Sequence, residues 1–205
     1  MIPEVIEVDA SEGPFEPSAA PDLDPAPDVV EVALEAKVSD IEIAPGRTVA
    51  MWTYNGQLPG PRIEAGAGDT VRVRFKNSLP EATTIHWHGV RVPAAMDGVP
   101  GLSFDGIEPG ETFVYRFPVR QAGTYWYHSH SGFQEQAGLY GPLVIEPLEP
   151  EPFAYDRDYV GMLSDWTDLD PRHLFARLKK RSDFDNYAKQ TVGDFFDDVK
   201  QRGWA

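Results

Sequence analysis

Four of the five histidines in this 205-residue chain occur in two pairs with the same spacing. The first pair lies in "TIHWHGV" as His86 and His88, and the second lies in "YWYHSHS" as His128 and His130. Residues two apart on a β-strand point to the same face of the sheet. Each pair is therefore expected to project two imidazoles side by side, and four rings converge if the two strands are brought together.

Four converging imidazoles indicate a metal site. Neutral imidazole is the commonest protein ligand for transition metals and binds copper, zinc, iron and nickel. Without a metal, four such rings would leave polar nitrogens lacking partners, or would repel one another if they were protonated. We therefore predict that the two pairs bind a metal, rather than serving as ordinary core or surface histidines.

Spacing alone does not choose the metal. Zinc enzymes of the alpha carbonic anhydrase type also combine an H-x-H strand with a third histidine, although this arrangement leaves the fourth histidine unexplained. Cupins place a glutamate a few residues after an H-x-H pair, whereas the residues after His88 read "GVRVPAAMDG" and contain no glutamate. The cupin pattern therefore fails, and copper and zinc both remain open on spacing alone.

The pattern of apolar residues predicts that β-strands carry the histidines. From about Val29, "VVEVALEAKV" alternates apolar and polar residues, and "VRVRFKN" places Val71, Val73 and Phe75 on one face. Turn sequences separate such runs: "APGR", "YNGQLPGP", "GAGD", "NSLPE" and "EPGE". Short strands at this spacing predict an all-β fold, an antiparallel sandwich or barrel.

Two further segments flank the predicted sandwich. Residues 1–28 are acidic and rich in proline, so we expect a mobile leader rather than an acidic tail that attracts metal. After the prolines near residue 150, "RDYVGMLSDW" predicts one more strand, and residues 170–203 predict helix. Residues 150–205 are therefore expected to form a linker and the truncated start of a second domain.

Charge and composition exclude several functional classes. The net charge of −15 argues against nucleic acid, which requires a basic face, and against an anionic membrane surface. Because the chain contains no cysteine, disulfides, thiolate nucleophiles and cysteine-ligated metals are excluded within it. No apolar run is long enough to span a bilayer, and the first residues lack the basic and apolar regions of a signal peptide.

Three stretches around the histidines carry a family resemblance. They read "IHWHG", "MDGVPGLSFDGIEPGETFVYRF" and "AGTYWYHSHSGFQEQAGLYGPLVIEP". Together they resemble the first cupredoxin domain of the multicopper oxidases, nearest to the bacterial copper-resistance branch. The resemblance is strong over residues 45–150 and extends through "TVGDFFDDVK" to the start of the second domain. It implies a Greek-key cupredoxin sandwich or barrel over residues 29–149, followed by an incomplete second cupredoxin domain over 150–205.

The resemblance also assigns copper ligands. It implies that His86 binds a type 2 copper and that His88, His128 and His130 bind a type 3 copper pair. These four residues would be half of the ligands of a trinuclear copper cluster.

Other residues near the motifs receive expected roles as well. Asp97 in "MDG" matches an acidic residue that the family uses as a proton relay, although aspartate before glycine is also a common turn residue. Trp87 and Trp126 are expected to pack beside the site. His173 lies outside both motifs and is expected to be a surface histidine.

The implied function is that of a multicopper oxidase, a laccase-like enzyme of copper resistance exported to the periplasm. Such an enzyme oxidises a cuprous or phenol-like donor and reduces dioxygen to water. The chain lacks the cysteine of the type 1 copper site and the C-terminal H-x-x-H-x-H and H-C-H segments. The missing ligands are expected from further cupredoxin domains or from another chain, so the isolated chain is expected to be inactive. The alternatives are a copper-binding module without turnover and, less favoured, a mononuclear zinc enzyme.

Overall fold

The structure is a computed structural model that describes residues 17–102, 104–187 and 191–203. Within these ranges the regular elements are eight β-strands, a short 3-10 helix at Ala94–Met96 and two α-helices. The elements are β1 Val29–Ala44, β2 Arg47–Tyr54, β3 Ile63–Gly66, β4 Thr70–Asn77, β5 His86–His88, β6 Thr112–Pro118, β7 Gly123–His128, β8 Tyr140–Glu146, α1 Pro171–Lys180 and α2 Val192–Arg202. The predicted β-fold is confirmed.

The eight strands form two sheets of four strands, in the orders β2-β1-β4-β6 and β3-β8-β7-β5. The antiparallel arrangement that the strand spacing predicts holds for four of the six described strand pairs, whereas β1 pairs with β4 and β3 pairs with β8 in parallel. Parallel pairing requires a crossover connection. Between β1 and β4 the chain passes through β2 and then through β3 of the other sheet, and this excursion provides the crossover.

The alternating strands bury their apolar faces between the two sheets. Val73 on β4 and Phe117 on β6 are fully buried, as the period-two pattern predicts. Trp87, the middle residue of β5, is also fully buried, and its ring centroid lies 4.9 Å from that of Phe117 and 5.4 Å from that of Tyr115. Because Trp87 points into this core, the residues on either side of it in β5 point out of the core.

The last part of the predicted leader lies against the sandwich. The Ala20 nitrogen donates to the Arg62 carbonyl oxygen at 2.8 Å, and Asp24 forms an ion pair of 3.1 Å with Arg72. The sequence predicts mobility throughout this acidic segment, but its last part is in contact with the sandwich. The paired backbone and side-chain groups offset part of the entropy lost on ordering. Residues 1–16 of the predicted leader fall outside the described residues.

The segment after β8 does not form the strand that "RDYVGMLSDW" predicts. Residues 157–166 have no ladder with any described strand, and Leu163 is 96% exposed. A strand requires a neighbouring edge that accepts and donates its backbone hydrogen bonds. The compact unit that contains the sandwich runs to Trp166, beyond the predicted boundary at residue 149, and Thr167–Ala205 form a second unit.

The helix predicted over residues 170–203 is present in two parts. The Asp170 side chain caps α1, and a capping box of Thr191 and Asp194 begins α2. Neither helix contains a buried residue, and His173 on α1 is exposed as expected. No helix in the described part of the chain combines the length and the apolar character needed to cross a bilayer. The assignment of this part to a second cupredoxin domain stays a prediction.

Replacing Phe117 with alanine tests the core that supports β5. The Phe117 side chain is fully buried against Trp87, so its truncation leaves a cavity. We expect the free energy of unfolding to fall by about 3–5 kcal/mol, measured by urea unfolding. Val114 on the same strand is 45% exposed, and Val114→Ala should lower the free energy of unfolding by less than about 1 kcal/mol. Equal losses in both variants would contradict this description of the core.

Candidate metal centre

Strands β5 and β7 are antiparallel neighbours and bring the two histidine pairs together. His86 is directly opposite His128 in the ladder, and His88 is opposite Trp126. The His86 ring centroid lies 5.6 Å from that of His88, 5.4 Å from that of His128 and 5.3 Å from that of His130. All four rings therefore converge around His86, as the spacing predicts.

Three of the four rings direct nitrogens towards one another. Ring nitrogens of His86, His88 and His128 all lie within 4.8 Å of one another, and no other described group has this spacing. His88 Nδ1 and His128 Nε2 are 3.2 Å apart. Because metal–imidazole bonds are about 2.0–2.1 Å long, two nitrogens at this separation can share one ion. His130 adjoins the group through ring contacts with His86 and His128 but does not belong to the three-nitrogen cluster.

The orientation of His86 depends on the turn that contains Asp97. His86 Nδ1 lies 2.8 Å from the Asp97 backbone carbonyl oxygen and 3.4 Å from the Asp97 carboxylate atom Oδ1. A carbonyl oxygen only accepts, so Nδ1 carries the proton and Nε2 is left to bind a metal. Asp97 thus contacts the predicted ligand as a turn residue, and its role as a proton relay stays a prediction.

The orientation of His128 involves a residue that sequence reasoning missed. His128 Nδ1 lies 2.8 Å from the Ser129 carbonyl oxygen and 2.9 Å from Glu135 Oε2. The hydrogen bond from His128 is the main cause that lowers the pKa of the Glu135 carboxyl group, against the opposing effect of burial. The sequence shows an acidic residue in the turn after the second histidine pair, but no local pattern indicates which imidazole it contacts.

His88 differs from the other two rings because its Nδ1 faces the cluster. Its ring stacks on Trp126 at 4.9 Å and 27°, and Trp126 also stacks on His128 at 4.1 Å and 20°. Desolvation lowers the pKa of His88, and the adjacent imidazoles lower it further, although His88 is an exposed residue. A lowered pKa favours the neutral ring, which is the form that binds metal.

Gln134 fixes the separation between the two histidine-bearing segments. Its side chain is 3% exposed, and its Oε1 accepts from Thr83 Oγ1 at 2.6 Å and from Ser129 Oγ at 2.7 Å. Its Nε2 donates to the Ala82 carbonyl oxygen at 2.8 Å and to Glu81 Oε1 at 3.0 Å. A buried amide with all of its hydrogen bonds made holds its neighbours in one arrangement. Sequence reasoning also missed this residue.

Gly98 allows the Asp97 turn to approach β5. Its φ is +72°, and a Cβ atom at this position would lie 1.8 Å from the Ile85 carbonyl oxygen. Ile85 directly precedes the predicted ligand His86, and the turn also contains the Asp97 carbonyl that holds His86, so a displacement of the turn would disturb His86. The close approach, and not only the positive φ, therefore requires glycine.

We expect Gly98→Ala to destabilise the fold and to disturb His86. Gly101→Ala is a matched control, because Gly101 has a φ of +75° and a Cβ added there would meet no atom within 4 Å. The left-handed backbone should lower the stability of Gly101→Ala by about 1–2 kcal/mol. Gly98→Ala should lose about 2 kcal/mol more, because its backbone contact cannot relax cheaply. Thermal unfolding measures both variants, and equal losses would show that the close approach does not matter.

Comparison with known proteins relates this chain to a protein family. The sequence profile of the multicopper oxidase family matches residues 35–150. The copper resistance protein A homolog of Pseudomonas syringae pv. tomato is 60% identical over 160 residues, which cover 78% of this chain and 27% of that protein. Copper resistance protein A of Escherichia coli is 62% identical over 151 residues, which cover 74% of this chain and 25% of that protein.

A solved structure is also similar to this chain. The multi-copper oxidase from Pseudomonas thermotolerans matches with a TM-score of 0.59 and 46% identity, over 61% of this chain and 31% of that chain. The expected cupredoxin-type sandwich is thereby confirmed. The chain spans about a quarter of the length of the curated relatives described above. Because the family profile covers more than half of its residues, this chain belongs to the multicopper oxidase family.

Proposed function

We propose that this chain is the copper-binding N-terminal part of a multicopper oxidase that oxidises a donor and reduces dioxygen to water. The observation that carries the proposal is the convergence of three imidazole nitrogens within 4.8 Å, in a chain of this family. The similarity to copper resistance proteins supports a role in copper resistance, with cuprous ion or a phenol-like compound as the donor.

The donor atoms fit copper. Imidazole nitrogens bind copper well, and His86, His88 and His128 supply three of them within 4.8 Å of one another. The Nδ1 contacts of His86 and His128 leave Nε2 for the metal, whereas His88 offers Nδ1. We propose His130, whose ring adjoins His86 and His128, as a fourth ligand of a trinuclear cluster. Copper bound here supplies the one-electron redox steps that the reduction of dioxygen requires.

The surrounding residues orient the ligands and control their environment. Trp126 covers one face of both His88 and His128 and keeps water from that side of the rings. Asp97 places its carboxylate 3.4 Å from His86 Nδ1, with its side chain 34% exposed. We propose that this carboxyl group moves protons between solvent and the site, which is the role of a general acid.

The rest of the oxidase must come from elsewhere. A type 1 copper site needs a cysteine thiolate, and this chain contains no cysteine. We propose that further cupredoxin domains, in the same longer protein or in another chain, provide this site and the remaining ligands of the cluster. The partners of the site are then dioxygen and a reducing donor. We propose a periplasmic or otherwise exported location, in keeping with the copper-resistance branch.

A copper-binding module without turnover is the second candidate. It is favoured by the same absence of cysteine, since the chain by itself has no route for donor electrons into the cluster. A zinc site is the third candidate, because imidazole nitrogens also bind zinc. Metal analysis of the purified chain distinguishes copper from zinc, and zinc as the bound metal would contradict both copper proposals.

Replacing His86 and His128 together with alanine tests the metal site. We expect the affinity of the chain for copper to fall by more than about 100-fold, beyond the effect typical of outer-shell partners. The fold should persist, because the core is built from residues such as Val73 and Phe117. Copper titration against a competing chelator and circular dichroism measure the two effects. His173→Ala is the control and should bind copper like the wild type, and a similar loss in this control would contradict the assignment.

Oxygen consumption tests the proposed turnover. The longer protein that contains this chain should consume dioxygen in the presence of a cuprous or phenol-like donor. The isolated 205-residue chain should not do so, because it has no cysteine for a type 1 copper. Donor-dependent oxygen uptake by the isolated chain would contradict the proposed division of ligands, and its absence in the longer protein would favour the module without turnover.

A further inference from the structure

Three consecutive side chains in the turn after the second histidine pair make three different contacts. Gln134 points inward and makes the four hydrogen bonds described above. Gln136 points outward, and its Nε2 donates to the Asp165 carbonyl oxygen at 3.0 Å. Glu135 lies between them, and its Oε2 is 2.9 Å from His128 Nδ1. The turn therefore presents a carboxylate to one predicted ligand while its neighbours hold it in place.

We propose that Glu135 is a positioning residue for the copper ligand His128, whose ring it holds with Nε2 directed at the metal. The inference rests on the proposed copper site. His86 receives the equivalent support mainly from a backbone carbonyl, that of Asp97. At His128 the carboxylate adds a full negative charge to the support from the Ser129 carbonyl.

The stacked ring of Trp126 cannot perform this role alone. Stacking at 4.1 Å and 20° fixes the plane of the His128 ring. A ring flipped by half a turn about its Cβ–Cγ bond lies in the same plane and stacks equally well, yet the flip exchanges the edge that faces His88. A hydrogen-bond acceptor at one edge removes this ambiguity, because only Nδ1–H can donate to it. Trp126 and Glu135 thus constrain different degrees of freedom of one ring.

The carboxylate also affects the strength of the metal bond. Hydrogen bonds to an ionised acceptor are about twice as strong as those between neutral groups. A carboxylate on the outer nitrogen of a ligating histidine raises the basicity of the inner nitrogen. His128 is 5% exposed, so this interaction is little screened by water on the side of the ring.

Part of the Glu135 side chain is open to solvent. Its side chain is 48% exposed, and it lines a cavity of about 140 Å³ together with Trp126, Gln136 and Met162. Water in this cavity can solvate the oxygen that does not face His128. The carboxylate thereby avoids the desolvation penalty of a fully buried charge. The neighbouring Gln134 is buried and hydrogen-bonded, and it holds the turn that carries Glu135.

Two substitutions at Glu135 and one at its neighbour test the proposal in the 205-residue chain. We expect Glu135→Ala to weaken the binding of copper(II) ions by about 10–100-fold, the range typical of lost outer partners. Glu135→Gln keeps an acceptor but removes the charge, so its affinity should fall between those of the wild type and Glu135→Ala. Gln136→Ala, the matched control, should bind copper(II) like the wild type. Competition with a chelator measures all affinities.

A readout without metal separates positioning from general loosening. Nitrogen-15 NMR of the metal-free chain reports which nitrogen of His128 carries the proton. The population protonated on Nδ1 should fall in Glu135→Ala, remain in Glu135→Gln and be unchanged in Gln136→Ala. Thermal unfolding of the metal-free chain should be the same for the wild type and Glu135→Gln. If Glu135→Ala proves unstable, Glu135→Gln therefore still tests the proposal.

The results distinguish this inference from the proposed function. Wild-type copper affinity in Glu135→Ala, or an unchanged proton position on His128, would overturn the role of Glu135 and leave the copper site intact. An equal loss of affinity in Gln136→Ala would overturn it as well, because the effect would then belong to the turn as a whole. Failure of the wild-type chain to bind copper would instead overturn the proposed function.

Discussion

The register between β5 and β7 is the constraint on which the rest of the site depends. Trp87 is paired with Tyr127, and both side chains are fully buried in the core. Because side chains alternate across a strand, this inward pair forces His86 and His128 to the outer face, where they lie directly opposite each other. A slip of one residue would turn the histidines into the core and the aromatic rings into solvent. The same strand register therefore buries the core residues and places the predicted ligands.

Polar contacts from other parts of the chain further fix the positions of the histidine side chains. The Asp97 turn reaches His86 only because Gly98 passes close to the Ile85 carbonyl. The amide of Gln134 joins the segment before β5 to the loop after β7. These contacts leave little freedom to the predicted ligands that they support. Such support matters for a metal site, because outer partners orient the ligand rings.

The cluster is protected on one side and open on another. Trp126 covers the rings of His88 and His128, while parts of His88 and His130 remain exposed. This arrangement is in keeping with the proposal that other cupredoxin domains contribute further ligands to a shared cluster. The known relatives are about four times as long as the matched segment, which leaves room for such domains in proteins of this family.

The sequence by itself determined the residue types of the site, the faces of its strands and the β-rich fold. These features are local, because alternation along "VRVRFKN" and the spacing of each H-x-H pair can be read within a few residues. Tertiary structure alone decided the parallel pairings, the absence of the strand predicted at 157–166 and the packing of residues 17–28 on the sandwich. It also decided that the Glu135 carboxylate meets Nδ1 of His128. Such contacts join groups whose partners are set by the whole fold, and no local pattern specifies them.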